Sequence, residues 1–438
     1  MPLPLRLLPL LALALALALA AACGGEEAPR GVPAAAGPRS PRLRAAETAL
    51  ERGRAVEARA LLAELGAEAG LDGILLAARL ELEAGDEVGA LRTLARARER
   101  DPGDGRVRAA EAELYATLGR LAAAEEALRE GWREAGHTPA LERAAGVFFS
   151  CTPGGAELGL ARLEKAIAAD PELPYTARPL FQARLLAGRA EIARGEHASA
   201  LAHAEAARAW DPADPAAREL AAEALTGLHR YAEALAIYEG LEAEGRPLGA
   251  TRALLHRQAA TAALVGRDRA GAIEHYLAAR RLGLDEAGLG FGAIVLTEEA
   301  AAETDRGAAA YAGGDLAAAR TAFERALALD PASLPAQNHL GVVLFRLEDY
   351  EGAARSWTAV LAAAAGAGEE LPEPVHLNLA RAWHLAGDDG KARAVLSEYL
   401  DRLPDGPWSE ETRELLVRLE EAALGGAREE VRGGGDPF

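Results

Sequence analysis

Two cysteines and nine histidines are the residues of this 438-residue chain best suited to nucleophilic or metal chemistry. Cys151 sits in Phe148-Phe149-Ser150-Cys151-Thr152-Pro153. As a nucleophile it would need a base close in space and a lowered pKa, because the thiolate is the reactive form. His137 is the nearest histidine upstream, beyond a turn expected at Thr138-Pro139, and nothing in the spacing forces the two together. The bland reading, a small buried hydrophobe, is how free cysteine usually behaves. His197 and His203 lie six apart, on different faces of a helix. His376 and His384 lie eight apart and share a face, with Asp388 and Asp389 as the further ligands within reach. A metal site usually needs three or four convergent groups, so polar histidines on helix faces are expected instead. Gly288-Leu289-Gly290-Phe291-Gly292 lacks the spacing of a dinucleotide fingerprint, a terminal lysine and a preceding strand. It reads as a loop or a break in a repeat. The carboxylate pairs Glu298-Glu299 and Glu369-Glu370 carry no catalytic information in so acidic a chain. No catalytic residue, metal site or cofactor is assigned, and the chain is expected not to be an enzyme.

The elements that would position any site are set by a repeat. Gly307, Ala319 and Phe323 recur as Gly341, Ala353 and Trp357 at one offset of about 34 residues. Small residues and one aromatic at fixed places in such a period mark stacked helix pairs. The glycine lets the first helix, A, approach the second, B, and the alanine is the small contact opposite it. The aromatic fills the gap between pairs, and a proline such as Pro331 cannot continue helix B. One pair cannot bury its apolar face alone, so several must stack.

Leu340-Gly341, Leu344, Tyr350, Ala353 and Trp357 resemble the tetratricopeptide repeat, and Gly307, Gly314, Ala319, Phe323, Ala326 and Pro331 resemble it more closely. The same offsets recur upstream, through Gly85, Ala90, Leu94, Ala97 and Pro102, then Gly188, Gly195, Ala200, Ala207 and Pro212, then Tyr231, Ala234 and Tyr238. A last unit carries Leu379, Trp383, Gly387, Ala392 and Pro404. The resemblance covers about residues 43–404 and implies an all-α solenoid of about ten helix-turn-helix repeats in a right-handed superhelix. Residues 44–286 form an N-terminal array, 287–299 an irregular insert or extra helix, and 300–404 a C-terminal array. A capping helix follows over 408–424, with Ser409 as its N-cap and Glu410 and Glu411 in its first turn. The tail 425–438 is expected to be disordered.

In tetratricopeptide arrays helix A of each unit lines a concave groove that takes extended peptides or helices. The resemblance places Thr304, Ala308 and Tyr311 there, then Asn338, Val342, Phe345 and Arg346, then Leu377, Asn378, Arg381 and His384. Of these, Tyr311, Asn338, Val342, Phe345, Arg346, Asn378, Arg381 and His384 form the expected ligand groove. Arginine and aromatic side chains are favoured at interface hot spots. The family's carboxylate clamp for chaperone tails needs lysines and asparagines where Thr304, Ala308 and His339 stand, so that role is not expected.

A net charge of −19, with no arginine cluster interleaved with aromatics, argues against nucleic acid as a partner. Residues 1–22 read as a secretory signal, with Arg6 before an apolar run and Ala20-Ala21-Ala22 before Cys23. This resembles a bacterial lipoprotein signal and implies a lipid on Cys23; alanine at 20, where leucine is commoner, departs from the pattern. Gly24 resembles lipoproteins sent to the outer membrane, facing the periplasm. The same residues also fit an ordinary cleavage site, or an anchor left uncleaved. Residues 23–43 would form a flexible tether with a reach of about 25 Å. The expected function is a non-catalytic, membrane-tethered scaffold that binds a protein or peptide in a cell-envelope assembly. Lipoproteins of this kind serve outer-membrane protein assembly, pilus biogenesis, polysaccharide export and cell-wall hydrolases. An enzyme subunit with a weakly catalytic groove, or a soluble secreted binding protein, are the alternatives.

Overall fold

The computed structural model describes residues 40–367 and 374–425. The expected signal, the lipidation at Cys23, the tether up to Arg39 and the tail from 426 onward lie outside them. Within the described residues there are 22 α-helices, a short 3-10 turn at Gly66–Ala69 and no strand. The chain divides into two compact units, Met1–Leu248 and Gly249–Phe438.

The first unit holds six helix pairs. They are α1 (Pro41–Glu51) with α2 (Ala55–Leu65), α3 (Gly70–Glu83) with α4 (Glu87–Arg100), and α5 (Gly105–Thr117) with α6 (Leu121–Ala135). Then come α7 (Pro139–Ser150) with α8 (Ala156–Ala169), α9 (Ala177–Arg194) with α10 (His197–Trp210), and α11 (Pro215–Gly227) with α12 (Tyr231–Ala243). The second unit begins with α13 (Gly249–Val265) and α14 (Arg269–Arg281), followed by the single turn α15 (Glu286–Leu289). It continues with α16 (Phe291–Ala312) and α17 (Leu316–Leu329), then α18 (Leu334–Arg346) and α19 (Tyr350–Ala367). The last pair is α20 (Val375–Leu385) with α21 (Asp389–Arg402), closed by α22 (Ser409–Gly425). Ten pairs therefore fill the described chain, the number the repeat spacing implies. No described helix is long and apolar enough to cross a membrane.

Local chemistry explains the helix boundaries. Asp86 Oδ1 accepts the Gly89 N–H at 2.8 Å and Asp315 Oδ1 the Ala318 N–H at 2.9 Å, so α4 and α17 start on side-chain caps. Within a pair, packing is set by the glycine-aromatic match. A Cβ on Gly307 would come within 2.6 Å of the Phe323 ring, and one on Gly341 within 2.7 Å of Trp357. Phe323 and Trp357 are both fully buried.

Two expectations are corrected here. The run 287–299 is not irregular: it takes in most of the extra one-turn helix α15, and after Gly290 redirects the chain it forms the first turns of α16, which runs unbroken for 22 residues. Its first turns bury Val295, Leu296 and Ala300 in the core that also holds Tyr276. Ser409 is already the first residue of α22 rather than the residue before it, and its hydroxyl donates to the Leu403 carbonyl at 2.7 Å.

Candidate interaction surface

The expected groove lies in the second unit, and the structure disperses it. Val342, Asn378 and His384 are 1%, 4% and 1% exposed, so they present no surface to a ligand. His384 Nδ1 lies 2.6 Å from Asp389 Oδ1, and Asn338 Oδ1 accepts the Trp357 indole N–H at 2.9 Å. These three buried positions and Asn338 therefore stabilise the pairs. Tyr311 and Phe345 are half-buried against the core around Trp357, and Phe345 lies edge-on to Tyr350. Arg381 is half-buried, and burial together with the Arg418 charge lowers its pKa. Arg346 is exposed at the end of α18. Thr304, beside them on α16, is buried and donates to the Ala300 carbonyl at 2.8 Å.

The chemical candidates also change character. Cys151 is exposed, not a buried hydrophobe, and partial burial of its thiol raises its pKa, the opposite of what a nucleophile needs. His137 is engaged elsewhere, with Nδ1 3.0 Å from Glu142 Oε1. His376 is buried and lies 2.9 Å from Thr412, so it and His384 do not converge on an ion. Among the described residues no group of three His, Cys, Asp or Glu could hold a metal.

A surface that the sequence did not reveal lies inside the first unit. The connection between α8 and α9 runs from Asp170 to Thr176, whereas those before α5, α11 and α18 span Asp101–Asp104, Asp211–Asp214 and Asp330–Ser333. The extra residues carry the chain inward across the A helices of the first four pairs. Tyr175 lies over the Arg79 guanidinium, 4.2 Å from its ring centroid, with Arg143 5.8 Å away. Arg143 Nη1 donates to the Pro174 carbonyl. Glu51, at the end of α1, lines the same cleft as Thr176 and Ala177. Burial raises its pKa, although the backbone amides from Tyr175 to Ala177 act in the opposite direction.

Beneath this segment Glu113 is held between Arg79 and Arg143, with Arg143 Nε donating to Oε1 at 2.6 Å. Burial alone would raise the Glu113 pKa, but the two guanidiniums outweigh it and hold the carboxyl below its usual range. On the other side of the segment opens a cleft of about 410 Å³. One wall carries Leu180, Phe181 and Trp210, with Phe181 and Trp210 rings 5.0 Å apart; the other carries Arg44, Glu47 and Glu51 of α1. Trp210 remains 42% exposed. A concavity of this size, part aromatic and part charged, suits a side chain or short segment of a partner. The only sequence signal for it was the lengthened connection with its apolar Leu173-Pro174-Tyr175.

Comparisons with known proteins bear on the repeat itself. Residues 81–145 match the family model described as tetratricopeptide repeat. None of the curated proteins matches the sequence. Among solved structures, the chain is similar to pilF of Pseudomonas aeruginosa at 22% identity, covering 51% of this chain and 96% of that one, with a TM-score of 0.36. It is also similar to PilW, a type IV pilus biogenesis factor, at 20% identity over 47% and 90%, with a TM-score of 0.34. The C-terminal part of a TPR repeat-containing protein from Cytophaga hutchinsonii matches at 16% over 61% and 99%, with a TM-score of 0.32. Likenesses this loose say nothing about what the chain binds. Residues 81–145 are thus tetratricopeptide repeat, and the same paired helices continue through both units, the helical-repeat fold of a scaffold for protein–protein interaction.

Proposed function

We propose that the chain is a non-catalytic scaffold held at a membrane surface by a lipid on Cys23, and that it binds a segment of a partner protein inside its first unit. The observation that carries this reading is the 410 Å³ cleft beside Trp210. Tryptophan and arginine dominate interface hot spots, and here an exposed indole faces a wall bearing Arg44, Glu47 and Glu51. A partner segment presenting an apolar side chain next to a basic one fits that pairing. The acidic chain disfavours nucleic acid in the same place.

The test is recovery of partners from detergent extracts with the natural chain and with Trp210→Ala. Loss of partners with helix content unchanged is expected; equal recovery would remove the cleft from the reading. Phe345→Ala with Arg346→Ala probes the accessible remainder of the second-unit groove in the same experiment. The membrane reading rests on the sequence around Cys23 and places the scaffold in a cell-envelope assembly, on an outer membrane facing the periplasm. Intact mass of the membrane-fraction protein checks it. A chain starting at Cys23 with a diacylglyceryl increment is expected, and a soluble chain without lipid would make the protein a secreted binder instead.

A further inference from the structure

We infer that the inner face of the first four pairs recognises an apolar-proline-aromatic segment, and that Leu173-Pro174-Tyr175 is the chain's own copy of that ligand, seated there displaceably. The inference deepens the peptide-binding reading above and rests on it. Three observations carry it.

First, the segment is held through both a backbone carbonyl and a ring, as a bound peptide would be. Its carbonyl at Pro174 accepts from Arg143, its aromatic ring covers Arg79, and Glu51 lies beside it at the cleft that Thr176 and Ala177 line. Leu173 and Pro174 line both the open cleft and a cavity of about 30 Å³ behind them. The segment is thus a partition between two spaces and has room to move into the larger one.

Second, it is seated under strain. Tyr175 has φ of 61°, in the left-handed region that non-glycine residues seldom adopt. Its hydroxyl is buried with no hydrogen bond to the protein, and Arg79 Nε is likewise without a protein partner. A segment entering from another chain with relaxed backbone would keep the good contacts and avoid the strained turn.

Third, the ion pairs that tie the ends of the segment to other helices are exposed, while its hydrogen bonds there are local, Leu173 N–H to the Asp170 carbonyl and the Thr176 hydroxyl to the Leu173 carbonyl. Glu172 pairs with Arg44 at 3.6 Å and Arg178 with Glu83 at 2.8 Å, and all four side chains are in contact with solvent. Exposed pairs of this kind contribute little to holding a loop. The anchoring is therefore concentrated in the part that imitates a ligand.

The experiment uses the full chain and a fluorescein-labelled peptide of its own residues 169–178. Binding is read by anisotropy to the natural protein and to Tyr175→Ala, with a peptide in which the tyrosine is alanine as control. A tethered copy competes at millimolar effective concentration, so Tyr175→Ala should bind the peptide about tenfold or more tightly than the natural chain. The control peptide should bind neither. Should Tyr175→Ala fold poorly, hydrogen exchange on the natural chain decides. Amides of Tyr175, Thr176 and Ala177 should exchange faster than those of Ala144 and Ala145 in α7, and faster still with peptide added. Exchange at the rate of α7, with no peptide binding, would make the segment a fixed strut and overturn the inference. In that event loss of partners in Trp210→Ala would still uphold the cleft, so the two readings fail separately.

Discussion

Acid should loosen the C-terminal end of the second unit, and a single histidine sets by how much. His376 on α20 is 6% exposed, its ring stacked on Tyr399 with centroids 3.7 Å apart and planes 4° from parallel. Its Nε2 lies 2.9 Å from Thr412 Oγ1 on α22, and the Thr412 proton goes to the Trp408 carbonyl at 2.6 Å. Nε2 must therefore donate to Oγ1, which fixes the neutral tautomer. Burial pushes the His376 pKa down to about 4 from its ordinary 6.5. The unfolded segment takes up a proton near pH 6.5 and the folded one only near pH 4, so the proton favours the unfolded state. Stability is complete above that window and falls as pH drops through it, by about 2 kcal/mol at pH 5 and about 3 kcal/mol at pH 4. Helix arrays open locally rather than all at once, so exchange of the Leu415 and Leu419 amides of α22 is the assay, corrected for intrinsic rates at each pH. His376→Gln removes the titration. The stability gap between the natural chain and His376→Gln should narrow by about 2 kcal/mol between pH 7.5 and pH 5. A gap independent of pH would refute the assignment of this acid sensitivity to His376.

Trp357→Ala should cost the second unit about 3–5 kcal/mol in urea unfolding, because it empties a fully buried site against Gly341 and leaves Asn338 Oδ1 without the indole N–H. A loss under about 1 kcal/mol would mean that the ring does not pin the pair. Arg267 holds φ of 63° at the turn where other pairs place glycine, so Arg267→Gly should leave stability unchanged or raise it by up to about 1 kcal/mol; a clear loss would refute the strain argument. Glu113→Gln should destabilise the first unit by about 3–5 kcal/mol, since Arg79 and Arg143 would be left as buried charges without a counterion. Cys151, though exposed, should alkylate more slowly at pH 7 than a free thiol because its pKa is raised; fast labelling would reopen it as a nucleophile.

The fold was legible because its determinants are local and periodic. The period marked Gly307 with Phe323 and Gly341 with Trp357, but it put an alanine opposite each glycine and the ring between pairs, whereas the structure sets each ring on the glycine of its own pair. The groove was less legible for a geometric reason. Consecutive helix residues are about 100° apart around the axis, so a placement one residue out turns an inner-face position into a packing position. That separates Val342, Asn378 and His384, which are buried, from Arg346, which is exposed. The first-unit surface left only the lengthened connection as a signal, because it is assembled from α1, α3, α5 and α7 by a segment that interrupts the periodic pattern. Glu51 and Ala177 are far apart in sequence, and only the closed geometry of the unit brings them together.

The charges on that inner face bear directly on whether Leu173-Pro174-Tyr175 moves. A groove lined with leucines releases an apolar occupant only by exposing apolar surface on both sides. Here the occupant covers Arg79, Arg143, Glu113 and Glu51, charges whose burial is itself unfavourable. When the segment lifts, water returns to those groups and offsets part of what the lost contacts contributed. Opening is therefore cheaper than the burial of Tyr175 alone suggests. The Arg79–Glu113–Arg143 cluster keeps the site shaped while it is empty, because Glu113 still links the two guanidiniums without the segment. A preformed, charged and easily rehydrated surface is what a reversible peptide site requires, and an apolar core between the same helices would have made the segment permanent.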